Sequence, residues 1–62
     1  MNKIVEILIR RDKITKEEAM QIFIDAQQDL IWRLEDNEDA DDICEEWFGL
    51  EPDYIFDLME GM

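Results

Sequence analysis

Apolar residues recur at helical intervals along most of this chain. Ile4, Val5, Ile7, Leu8 and Ile9 crowd the segment from Asn2 to Arg11. Their β-branched content would allow a strand. No other stretch alternates as a strand does, so a strand here would have nothing to pair with. The segment is read as a short helix, with Arg10 and Arg11 at its C-terminal end, where positive charge suits the helix dipole. Asp12-Lys13-Ile14 is a short connector. Thr15-Lys16-Glu17-Glu18 has the form of a capping box. The Thr15 hydroxyl can accept from the Glu18 N–H, the Glu18 side chain can reach back, and Ile14 can staple onto Ala19 or its neighbour. The longest helix is expected from near Lys16 to near Asp36.

On that helix Ala19, Phe23, Ala26, Leu30 and Leu34 make one narrow stripe. Met20, Ile24 and Ile31 lie to one side of it and Ile22 to the other. So broad an arc predicts two packed neighbours, or one neighbour and another chain. Trp32 is the misfit, on the opposite face near Gln21, Asp25 and Gln28. Asp36-Asn37-Glu38 marks a turn, and a third helix is expected from Glu38 or Asp39, with acids early in it. Ala40, Ile43, Cys44, Trp47 and Phe48 recur at i, i+3 and i+4 and form its apolar face, which makes Trp47 a core residue. Gly49 stops it, with Leu50 supplying the accompanying contact. Glu51 before Pro52 suits the start of a last helix, with Tyr54, Ile55, Leu58 and Met59 on its face. The pattern predicts an all-α chain: one small domain over residues 1–62, with four helices (short–long–short–short) and short loops.

Charge changes the picture. The chain has 62 residues and a net charge of -12, and its apolar content of 47% is too high for a disordered segment. Residues 1–34 hold all six basic side chains and six acids; residues 35–62 hold the other twelve acids and no Lys or Arg. The entire excess therefore belongs to the C-terminal part. Such a field repels phosphate, which argues against direct binding of nucleic acid or an anionic membrane and favours attraction to basic surfaces. The segment NKIVEILIRR is too short and too charged at its end for a signal peptide or a membrane span. The single cysteine, Cys44, suits a reducing cytoplasm.

Catalytic chemistry finds few materials. The chain has no His and no Ser, so Cys44 has no imidazole to activate it. It sits on an apolar stripe and is read as a small core residue. One Cys makes no zinc site. A calcium loop starting at Asp36 would put Ala40 at a ligand position and Asp41 at the turn glycine, so that pattern fails. No metal, cofactor or enzymatic activity is expected.

The stretch EDNEDADDICEEWF carries eight acids in its first twelve residues: Glu35, Asp36, Glu38, Asp39, Asp41, Asp42, Glu45 and Glu46. Charge runs are commonly solvated helix faces. Ordinary helix faces intersperse Lys or Arg, which relieve repulsion, and here no relief exists. As a helix, twelve residues rise roughly 18 Å, or one charge per roughly 2.2 Å, against roughly 1.7 Å for duplex DNA. These acids are therefore candidate contacts for a Lys- and Arg-lined groove, with Trp32 as a candidate anchor unless the C-terminal helix covers it.

The stretch ITKEEAMQIFIDAQQDL, the acidic turn and FGLEPDYIFDLM resemble small acidic all-helical accessory proteins of bacteriophages and prophages. The resemblance spans most of residues 12–60 and assigns no residue a role. It implies the cytoplasm of an infected or lysogenic bacterial cell, where short acidic proteins often inhibit host defence or nucleic-acid-handling proteins. Two expectations follow. The first is a non-enzymatic inhibitor that occludes the basic surface of a host or phage protein. The second is a self-associating helical module joined through Met20, Ile24 and Ile31, whose acids only confer solubility. A response to divalent ions is a weaker third.

Overall fold

Four α-helices and one 3-10 turn carry the chain in a computed structural model, which describes residues 2–61: α1 (Lys3–Asp12), α2 (Lys16–Glu35), α3 (Ile43–Phe48), the turn Pro52–Tyr54, and α4 (Ile55–Leu58). No strand occurs among the described residues. Asn2 starts α1 by accepting the Ile4 N–H at 2.8 Å, which satisfies one of the donors that a first helical turn leaves open. Its amide nitrogen donates to the Asp57 carbonyl and to a Glu60 carboxylate oxygen, both at 2.7 Å. One polar residue thus caps α1 and ties it to the C-terminal end. Arg11, in the last turn of α1, donates to the Phe48 carbonyl at the end of α3. It also pairs with Asp12 at 3.0 Å, which holds the Asp12 carboxyl below its ordinary value, chiefly through that hydrogen bond.

Thr15 caps α2 as its sequence requires, accepting the Glu18 N–H at 3.1 Å; the reciprocal bond from the Glu18 side chain does not form. Ala19, Phe23, Ala26 and Leu30 are buried, together with Ile4, Val5 and Leu8 of α1, Ala40, Ile43, Cys44 and Phe48, and Leu58 of α4. The stripe stops there. Leu34 is 53% exposed. The reason is length: α2 has 20 residues, while α1 has 10 and α3 has 6, so the neighbours cannot cover all of it. Met20 and Ile24 are also exposed, and Ile31 is half-buried.

The third helix starts at Ile43, later than the pattern of charges suggested. Residues 36–42 are linker instead. Asn37 takes a left-handed φ of 58°, and the Asp39 carboxylate accepts the Asp41 N–H at 2.9 Å. Short acidic and amide side chains compete in this way with helical hydrogen bonds. Gly49 ends α3 at a φ of 68°, its N–H reaching the Glu45 carbonyl at 2.9 Å. A left-handed residue there costs glycine least.

Cys44 is fully buried. Burial pushes its thiol above the ordinary 9.0, and the charge of Asp57 adds to this. The neutral thiol is thus favoured in the folded state. Its contribution to stability is full below 9.0 and is lost as pH rises through the folded value. Native protein at mildly alkaline pH is expected to resist iodoacetamide, and urea-unfolded protein to react fully. Alkylation of the native chain at the rate of a free thiol would contradict the packing of α3.

Candidate functional site

Glu35 closes α2; Asp36, Glu38, Asp39, Asp41 and Asp42 occupy the linker; Glu45 and Glu46 stand on α3. All eight side chains are exposed. They do not form a helical row, because five of them lie on the linker, so the comparison with DNA charge spacing loses its ruler. The acids remain one continuous outer segment bridging two helices.

Arg33 sets the geometry beside them. Its Nη2 lies 3.1 Å from Asp29 Oδ2 and also pairs with the Glu46 carboxylate of α3. The guanidinium is raised above its ordinary value, first by the hydrogen bond to Glu46 and also by the charge of Asp29. Glu46 is therefore engaged within the chain and is not a free contact. The other seven acids make no ion pair among the described residues.

Trp32 is 62% exposed and Trp47 is 38% exposed. This corrects the assignment of Trp47 to the core. It also removes the alternative in which the C-terminal helix covers Trp32. The two indoles line one groove between α2 and α3, of about 480 Å³, together with Asp25, Gln28 and Asp29. Asp25, Gln28 and Trp32 share a face of α2 because they are three and four residues apart. Trp47 is brought to them from α3. Its indole N–H donates to Asp29 Oδ2 at 2.9 Å, the same oxygen that Arg33 approaches. Asp25 accepts from Gln21 at 3.0 Å.

Sequence reasoning found the acids and Trp32 but missed Trp47, Asp25 and Asp29 as a group. The signal was partial: Asp25, Asp29 and Trp32 fall on one polar face, while the approach of Trp47 depends on how α3 docks. A smaller recess of about 260 Å³ is lined by Lys3, Asp53, Tyr54 and Asp57. Among the described residues, no cluster of acidic or cysteine side chains is arranged to hold a metal ion, and no helix is long and apolar enough to cross a membrane. No protein-family model, curated protein or solved structure matches this chain.

Proposed function

We propose that this chain is a non-enzymatic interaction protein that occludes the basic, nucleic-acid-binding surface of a host defence or nucleic-acid-handling protein in a phage-infected or lysogenic bacterial cell. One observation carries the reading: Glu35, Asp36, Glu38, Asp39, Asp41, Asp42 and Glu45 are exposed and lack an ion-pair partner among the described residues. A compact domain accepts self-repulsion of this kind at a cost in stability. A basic partner converts that cost into attraction, faster encounter and selectivity.

The immobilised protein should retain its partner from host lysate at low salt and release it as salt rises. The Debye length falls from about 10 Å at 0.1 M to about 3 Å at 1 M, so exposed pairs are screened over this range. Duplex DNA should displace the same partner, because both ligands occupy one basic surface. Retention that ignores both salt and DNA would overturn the reading.

Self-association is the second reading. It is favoured by the exposure of Met20 and Ile24 beside half-buried Ile31, and by Phe56, which is 77% exposed on α4. Sedimentation at several concentrations separates the two, since a monomer throughout removes it.

A further inference from the structure

The groove between α2 and α3 has walls of definite chemistry. Its walls are two indole rings, and its polar groups are Asp25, Gln28 and Asp29, with no lysine among them. Asp29 is already committed to Trp47 and Arg33. Among the described residues Asp25 accepts only from Gln21, through Oδ1, so its Oδ2 has no partner there. An anionic occupant would meet the Asp25 carboxylate, which has no cation paired with it among the described residues. An apolar occupant would cover Asp25 without pairing it, which is costly. A cation satisfies both features, because indole faces attract positive charge and Trp does so best.

We propose that the Trp32–Trp47 groove receives one arginine side chain of a basic partner protein, stacked on the indoles and paired with Asp25. This rests on the reading that the partner is basic, and it names the residue the partner must present. Arginine is preferred to lysine because the planar guanidinium is weakly hydrated, stacks on aromatic faces and can present two donors to one carboxylate. The groove is partly built beforehand: the hydrogen bond to Asp29 holds the Trp47 ring, while Trp32 stands largely free. Fixing one wall lowers the ordering required on binding.

The test is a nitrogen-15 NMR titration of the full chain with three peptides of equal length: oligoarginine, oligolysine and oligocitrulline, the last being neutral and nearly isosteric with arginine. Oligoarginine should shift the indole N–H signals of Trp32 and Trp47. Oligocitrulline should not, and oligolysine should act mainly on the linker amides of residues 36–42. Trp32→Ala removes an exposed side chain and should leave the helical spectrum intact, yet weaken oligoarginine by about fivefold, the size of a partly exposed cation–aromatic contact. Asp25→Asn should weaken it comparably and leave oligolysine almost unchanged. Shifts at the linker without shifts at the indoles would overturn the arginine site while sparing the basic-partner reading. No binding by either cationic peptide would sink both. Equal binding of citrulline would remove the need for charge. Indole shifts that follow protein concentration alone would assign the groove to a second copy of the chain.

Discussion

Leu30→Ala is expected to lower the urea midpoint of unfolding steeply. Leu30 is fully buried on α2, where the stripe meets the other helices. Removing a buried leucine side chain costs about 2–5 kcal/mol, depending on how far the cavity collapses. A domain of 62 residues has a total stability of roughly 3–9 kcal/mol by the usual per-residue range. The substitution therefore removes a large share of what holds the fold. Leu34→Ala, one turn further along the same stripe, is the matched control. Leu34 is more than half exposed, so the same change should cost less than about 1 kcal/mol. Urea titrations followed by far-ultraviolet circular dichroism measure both. Equal losses would mean that the end of α2 is covered after all.

The second large effect should run in opposite directions for stability and binding. The combined variant Glu35→Gln, Asp36→Asn, Glu38→Gln and Asp41→Asn should melt higher and hold a basic partner far less well. None of these four side chains makes an ion pair among the described residues. Glu35 and Asp36 stand at the C-terminal end of α2, where negative charge opposes the helix dipole. Each such charge is worth about 0.3–1 kcal/mol, so relief of both gives about 0.6–2 kcal/mol, or roughly 5–15 °C in a domain of this size. For binding, exposed charge pairs contribute about 0.5 kcal/mol each. Four together make about 2 kcal/mol, close to a thirtyfold loss of affinity. A lower melting temperature would show that the acids have structural partners. Unchanged affinity would leave the segment as a solvated surface and nothing more. Asp42 and Glu45 are left in place because they lie near the N-terminal end of α3, where negative charge is favourable.

Local chemistry was the part of this fold that the sequence disclosed. Thr15 as a cap, Gly49 as a stop and the buried run Ala19, Phe23, Ala26 and Leu30 each depend on neighbours within a turn or two. The four-helix, all-α arrangement followed from them. The limits of the helices followed less well. Asp36 to Asp42 looked like the approach to a helix because acids favour its start, but Asp39 and Asn37 have local alternatives that end helical geometry. Leu34 looked buried because periodicity says nothing of how long the neighbouring helices are. The candidate surface divides in the same way. Exposure of the eight acids was readable from their charge. The engagement of Glu46 by Arg33, thirteen residues away, and the meeting of Trp47 with Asp29, eighteen away, needed the docking of α3.

The two indoles differ in exposure, and this has an optical consequence: Trp32 stands largely in solvent, while Trp47 is mostly covered and bonded to Asp29. The native chain should emit as the sum of one hydrated and one shielded tryptophan, and unfolding should move only the Trp47 share to longer wavelength. The Trp32 share is a gauge of anything that settles over α2 and α3, with no dye attached.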